Sequence, residues 1–277
     1  SPGMDVDISY YYNSNVSYNG PFGYGRTLST NLTAQASGSP LCVTFLRGNG
    51  ALVSYADDGM GNFVPQTQNV LNTLQKDLTN NLWKETTPDG RVTAYPLDIT
   101  GMITSIAYAE DAIGNRHTFQ YSSGQLESLQ DAVGRLVSFS YSSGLLQEIE
   151  DWANRRTTFL YDTTSVMGKP LLATVIGPTG CQTGYGYDST PLLTRITDPN
   201  GNDTTYAYDM NGRISDRTIV GVGISTYRYL PGQTIVTDEM GAAMVSVGPP
   251  TQTASPATWN GVTVFQNELD LTLEIEW

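Results

Sequence analysis

The residue types that most often perform chemistry are scarce in this chain, and they lie far apart in sequence. His117 is the only histidine, and no G-x-S-x-G motif accompanies it, so neither a hydrolytic triad nor a zinc site is predicted. We interpret His117 as a strand side chain on the polar face of a sheet. Cys42 and Cys181 lack the spacing of a metal site. A disulfide between them would require an oxidising compartment, and two buried free thiols are the simpler interpretation.

Paired carboxylates are the remaining candidates for catalysis. They occur at Glu110-Asp111, at Glu148 and Glu150-Asp151, and at Asp238-Glu239. A glycosidase holds two carboxylates roughly 5–9.5 Å apart in a cleft, whereas adjacent side chains of a strand point to opposite faces. The stretch from Asp198 to Asp203 offers oxygen ligands for calcium but lacks the spaced ladder and final Glu of an EF-hand. The sequence therefore predicts no enzyme, no cofactor and no metal site.

The charge balance restricts the partners. The chain has 14 Lys and Arg against 27 Asp and Glu, a net charge of −13. Nucleic acids and anionic membrane surfaces are bound through basic faces, so this deficit argues against both. No apolar run reaches the roughly 18 residues of a membrane span, so no membrane insertion is expected. We interpret the acidity as a means of solubility.

The elements that position these residues follow a repeat that begins at residue 111. Three copies start 20 residues apart, each with an Asp, a Gly or Asn three residues later, and a Tyr ten residues after the Asp. The residues that define them are Asp111, Gly114, Tyr121, Asp131, Gly134, Tyr141, Asp151 and Tyr161. Later copies keep these offsets with variable spacing, at Gly180 and Tyr187 and at Asp198, Gly201 and Tyr208, and the second turn that follows Tyr208 contains Gly212 and Arg213. A fixed period of this length is typical of repeated supersecondary units.

Each repeat reads as strand, turn, strand, turn. One turn has the form D-x-x-G, and the other is rich in Ser and Gly. Apolar residues such as Leu126 and Leu129 stand three apart, which breaks strict alternation and predicts a β-bulge. A single hairpin is only marginally stable, so successive hairpins are expected to pair edge to edge. We predict an all-β protein, a curved sheet of consecutive antiparallel β-hairpins.

The rest of the chain divides around this array. We predict an N-terminal β region over residues 1–85, the hairpin array over 86–248, and a linker with one or two strands over 249–277. Residues 63–84 carry leucines at helical spacing, but Pro65 and the Asn- and Thr-rich composition favour strands and turns. The alternating stretch 262–277 is a candidate cap for an open sheet edge.

The segment Asp198-Pro199-Asn200-Gly201-Asn202, followed by Tyr206 to Ile214, resembles the YD repeat of the RHS family. The stretch Gly20 to Gly25 is similar to the segment that precedes such repeats in bacterial proteins. The resemblance covers residues 5–247 and implies a spiral or partly closed shell of hairpins. It further implies that the chain is an N-terminal or internal segment of a larger bacterial protein.

The resemblance also implies a function. Relatives are large secreted or surface proteins, many of which enclose a toxic domain, while animal relatives act in adhesion. The expected role is a non-catalytic part of a shell that encloses or displays other domains, in an extracellular or cell-surface protein. The expected partner is the remainder of the same polypeptide, either further repeats or an enclosed domain. The family's self-cleaving closing segment is absent from this sequence.

An alternative is an adhesion module that binds a glycan or a surface protein through exposed tyrosines. Tyrosines alternate along several strands, as at Tyr185 and Tyr187 or at Tyr227 and Tyr229. Exposed aromatic rings can stack on sugars. The competing interpretation is that one member of each pair packs the shared face and the other is a cross-strand partner.

Overall fold

The computed structural model describes residues 6–14, 18–67, 69–164, 166, 168–231, 233–247, 257–259, 262–264 and 271–275. Within these ranges the chain forms strands joined by turns, and no helix is present. Accordingly, the described residues include no helix with the length and apolar character needed to cross a membrane. The predicted all-β fold is confirmed.

The strands that precede the repeats are β1 (Ile8–Tyr12), β2 (Asn19–Gly20), β3 (Gly23–Tyr24), β4 (Arg26–Leu28), β5 (Thr33–Ser37), β6 (Cys42–Leu46), β7 (Leu52–Asp57), β8 (Phe63–Pro65), β9 (Thr73–Asp77), β10 (Leu82–Thr86), β11 (Val92–Pro96), β12 (Ile103–Ser105) and β13 (Tyr108–Glu110). The strands of the repeats are β14 (Arg116–Ser122), β15 (Gln125–Gln130), β16 (Leu136–Ser142), β17 (Leu145–Glu150), β18 (Arg156–Asp162), β19 (Leu171–Ile176), β20 (Gln182–Tyr187), β21 (Leu193–Thr197), β22 (Asp203–Tyr208), β23 (Ile214–Ile219), β24 (Gly223–Leu230), β25 (Gln233–Thr237) and β26 (Ala243–Val247). The tail contributes β27 (Ala257–Trp259), β28 (Val262–Val264) and β29 (Leu271–Ile275).

Strands β5–β26 belong to one antiparallel sheet of 22 strands. Strand β11 pairs with β10 and β13, whereas β12 pairs with β5, the first strand of the sheet. Strands β5–β12 are called the ring here, because this last pairing brings their two ends together. From β13 onward each strand pairs with the next one in the chain, up to β26. Among the described residues β26 pairs with β25 alone, so the long array that extends from the ring has an open edge at β26.

A bulge recurs in five hairpins of the array. In the first, Gln120 lies opposite Ser128 but Tyr121 lies opposite Leu126, which leaves Glu127 as the extra residue. The same irregularity occurs in the hairpins β16–β17, β18–β19, β20–β21 and β22–β23. The extra residue places Leu126 on the same face as Leu129, and both are buried. The predicted bulge is thus confirmed, and the apolar spacing of three is its cause.

The buried face of the array, which carries Phe139 and Ile149, is called the inner face here. Strands β1–β4, which we call the N-terminal plug, pack against it. Ile8, Tyr10 and Leu28 share one apolar cluster with Phe139 and Ile149. The plug is not part of the 22-stranded sheet, since β1 pairs with β4 on one side and with β29 on the other.

The strand assignments also decide the interpretation of residues 63–84 and of the tail. Residues 63–84 form β8, β9 and part of β10, so strands were the correct interpretation of the leucine spacing. The tail contains three described strands, one more than the one or two predicted. Among the described residues β29 pairs with β1, β27 pairs with β28, and none of the three pairs with β26. The predicted linker at 249–256 lies outside the described residues, and the proposed domain boundaries remain a prediction.

Candidate functional site

The repeated Asp residues hold the turns of the array. In the turn at Asp131, the N–H groups of Val133 and Arg135 donate to Oδ1 at 3.0 and 2.8 Å, and Arg135 Nε donates to Oδ2 at 2.5 Å. Gly134 has a φ of 89°, in the left-handed region that favours glycine. Burial raises the pKa of Asp131, but these hydrogen bonds outweigh it, so the pKa lies below its ordinary value. This carboxylate is therefore engaged by its own turn.

The same arrangement recurs in other turns of the array. Asp111 and Asp198 bind the amide of an Asn four residues on, whereas Asp151 and Asp209 bind an Arg there. Asp198 was considered for calcium, but its oxygens accept hydrogen bonds from Asn200 and Asn202. In the described part of the chain, no three acidic, His or Cys side chains are grouped to hold a metal ion.

Two sequence interpretations of single residues were wrong. His117 is 7% exposed and lies two residues before Phe119 on β14, so it faces inside and not toward solvent. The equivalent positions in the next two repeats, Val137 and Thr157, are buried as well. Both cysteines are free thiols, but Cys181 is exposed and Cys42 is half-buried, so the expectation of buried thiols fails.

The tyrosine that closes each repeat faces inside and forms a row along the inner face. The row consists of Tyr121, Tyr141, Tyr161, Tyr187 and Tyr208. Tyr229 extends it, because it lies on the same face of β24 as Tyr227, which packs in the same cluster as Tyr208. Tyr208 OH donates to the Leu193 carbonyl at 2.6 Å, and Tyr229 OH donates to the Ile214 carbonyl at 2.9 Å. In three strands a second tyrosine stands two residues earlier, at Tyr185, Tyr206 and Tyr227, and it faces inside too because strand side chains alternate. Both members of each pair therefore pack inward, which leaves less aromatic surface outside than the sequence suggested.

Arg26 of the plug is inserted into this row. It is 1% exposed, and its guanidinium lies 4.4 Å from the ring centre of Tyr185 and 5.0 Å from that of Tyr10. Tyr12 and Tyr187 lie at 5.2 and 5.9 Å. Nε and Nη2 donate to the Tyr187 hydroxyl at 3.1 and 2.9 Å. We call this group the arginine cage. Among the described residues no carboxylate forms an ion pair with Arg26, and Nη1 has no hydrogen-bond partner.

Backbone contacts fix the rest of the plug. Leu146 N–H donates to the Pro21 carbonyl at 2.7 Å, and Tyr24 N–H donates to the Pro170 carbonyl at 2.8 Å. Tyr12 OH accepts from the N–H of Leu193 at 3.0 Å. The plug therefore lies across successive hairpins. Sequence reasoning missed this, because no local pattern links Arg26 to Tyr187, 161 residues away.

The hairpins follow one another in regular succession, and internal carboxylates hold their turns. Their inner face retains a segment that is remote in sequence. This is the architecture of a structural shell protein. A family model described as the teneurin YD-shell matches residues 64–242, more than half of the chain. The chain belongs to the YD-shell family, as the repeat resemblance predicted.

Solved structures resemble the chain more distantly. A Tc holotoxin pore of Photorhabdus luminescens is 16% identical, over 74% of this chain and 12% of that chain, with a TM-score of 0.36. A porin-like protein of Bacteroides uniformis is 12% identical, over 82% and 96%, with a TM-score of 0.30. The chain thus spans only 12% of the holotoxin chain. TM-scores this low carry no information about function. No curated protein matches the chain.

Proposed function

We propose that this chain is a non-catalytic segment of a shell whose inner face holds polypeptide, within a larger secreted or surface protein. The partner is the rest of the same polypeptide, either further hairpins or an enclosed domain. The observation that carries the proposal is the plug, a segment remote in sequence that lies along the inner face of successive hairpins.

The free edge of the array supports the same role. Met244 and Val245 are adjacent on β26 and point to opposite faces, yet they are 72% and 51% exposed. A strand with both faces exposed and one described partner is suited to pair with a following hairpin. The shell segment would then continue beyond β26.

Peptide complementation tests whether the inner face holds polypeptide. A variant that lacks residues 1–31 should bind a hydrophobic dye at its uncovered inner face, and a synthetic peptide of residues 6–32 should suppress this binding. A peptide with Arg26→Met should bind more weakly, and a scrambled peptide should not bind. If the native peptide has no greater effect than the scrambled one, the inner face does not retain polypeptide and the proposal fails.

A further inference from the structure

The first strand of the plug has two edges, and its backbone groups are divided between them. On the side of β4, the Ser29 N–H donates to the Ser9 carbonyl and the Asn13 N–H donates to the Gly25 carbonyl, both at 2.9 Å. In an antiparallel ladder, the backbone groups of successive residues point to opposite sides of the strand. The even-numbered residues of β1 therefore direct their N–H and carbonyl groups to the edge that lies away from β4.

The even-numbered residues of β1 are buried, so this second edge needs hydrogen-bond partners. Ile8, Tyr10 and Tyr12 are 0%, 1% and 4% exposed. Buried backbone N–H and carbonyl groups are almost always paired. Here donors and acceptors recur at every second residue of an extended chain, and another strand supplies its own groups at the same spacing. The edge is therefore suited to an extended polypeptide segment.

Strand β29 lies along this edge, antiparallel to β1 and in register over all five residues of each strand. The residues opposite the buried even-numbered positions are apolar, and they pair as Leu271 with Tyr12, Leu273 with Tyr10 and Ile275 with Ile8. The residues between them are Thr272 and Glu274. A slip of one residue would set these polar residues opposite the buried positions, so the alternation of the segment fixes its register.

We propose that this edge of β1 is an acceptor site for an extended polypeptide segment with apolar residues at alternate positions, and that the chain after the array occupies it through residues 271–275. The inference rests on the proposed function, because it names a contact by which the plug itself retains polypeptide. Strand β29 is outside the 22-stranded sheet, and among the described strands it pairs with β1 alone. Recognition combines backbone hydrogen bonds, which any extended segment can make, with the alternating pattern that sets the register. A segment of the same pattern supplied by a separate molecule should therefore bind at the same edge.

Amide hydrogen exchange of the full chain, measured by NMR, tests the proposal. Leu273 stands opposite Tyr10 with its backbone groups toward β1, so Leu273→Pro removes a donor to this edge. The Tyr10 amide should then exchange at least about tenfold faster, whereas the Tyr11 amide, which faces β4, should not change. Thr272→Pro is the matched control, because the Thr272 N–H points away from β1 and proline is tolerated at such a position.

A peptide added to the Leu273→Pro chain tests the specificity of the edge. The capped peptide of residues 270–276, Asp-Leu-Thr-Leu-Glu-Ile-Glu, should restore slow exchange at Tyr10. The same peptide N-methylated at Leu273 should bind at least about tenfold more weakly, whereas N-methylation at Thr272 should have no effect. A peptide of the same composition with its apolar residues consecutive, Asp-Thr-Leu-Leu-Ile-Glu-Glu, should also bind at least about tenfold more weakly.

Four results would each overturn the proposal. They are an unchanged Tyr10 exchange rate in Leu273→Pro, an equal rise in both proline variants, equal binding of the two N-methylated peptides, and binding of the rearranged peptide as tight as that of the native one. The sequence of the plug is the same in all these samples. The results therefore report on the edge of β1, whereas the complementation experiment reports on the inner face of the array.

Discussion

Arg26 and Glu85 are both about 1% exposed, but the protein accommodates their charges in different ways. Glu85 lies in the ring, is paired with Arg47, and accepts further hydrogen bonds from neutral side chains. Arg26 lies against the array, is surrounded by the faces of four tyrosines, and is bonded to one hydroxyl. The first charge is neutralised within the ring, whereas the second joins a separate segment to the array through aromatic contacts.

The two charges differ in what their removal leaves behind in the folded protein. A buried ion pair leaves an uncompensated charge when one member is removed, and this is strongly destabilising. A cation over aromatic rings leaves only neutral rings when it is removed. Loss of Glu85 should therefore be much more harmful than loss of Arg26, although both side chains are equally inaccessible.

The largest expected effect is that of Glu85→Ala. The variant leaves Arg47 without its counter-ion and Tyr55 without its acceptor, so the free energy of unfolding should fall by about 3–5 kcal/mol. Urea denaturation at pH 7 measures this change. The control is Glu127→Ala, which removes an exposed carboxylate and should have no measurable effect. A loss below that of the Arg26 variant described below would reverse the comparison.

Acid should remove the contribution of Glu85. Its pKa in the folded protein lies below the ordinary value of 4.5, so its stabilising effect is present above the unfolded pKa. That effect is lost as the pH falls through the folded pKa. The difference between wild type and Glu85→Ala in free energy of unfolding should accordingly shrink between pH 7 and pH 3. A difference that stays constant over this range would show that the carboxylate charge is not what stabilises the ring.

Arg26→Met should cost less, about 1–2 kcal/mol. The variant loses the hydrogen bonds to Tyr187 and the attraction of the ring faces, but it also removes the cost of a buried charge. A guanidinium stays charged across this range, so the cost should be the same at pH 7 and pH 4. Parallel urea denaturation at both pH values measures it, with Arg91→Met as control, because Arg91 has a 70% exposed side chain. A cost that fell on acidification would indicate a carboxylate partner for Arg26.

The sequence predicted the array well because its determinants are local. The offset of ten from Asp to Tyr, and the apolar spacing of three, recur within 20 residues and fix both turn and bulge. The face of His117 was also predictable, since it stands four residues before Tyr121 and an even offset keeps both on one face. The arginine cage and the Glu85 pair were not predictable. Their partners lie 161 and 38 residues away, and no periodicity relates them.

Substitution of the turn carboxylates is expected to lower the free energy of unfolding least. These carboxylates are a third kind of charge, which is held by the N–H groups of its own turn and by a side chain four residues on. Asp131 and Asp111 occupy the same repeat position, but Asp131 binds Arg135, whereas Asp111 binds the neutral amide of Asn115. Asp131→Asn keeps an oxygen for the turn N–H groups and loses the charged partner, so it should cost about 1 kcal/mol at pH 7.

Asp111→Asn should cost less than Asp131→Asn, because its partner carries no charge and its turn is more exposed. The pKa of Asp131 lies below its ordinary value, so its contribution also should be lost as the pH falls through the folded pKa. Thermal unfolding of both variants at pH 7 and pH 3 measures the pair. If Asp111→Asn were the more harmful at pH 7, the charge of Arg135 would contribute nothing to the turn. The array would then rest on backbone geometry alone, and the ring would hold the only carboxylate in this comparison whose charge stabilises the fold.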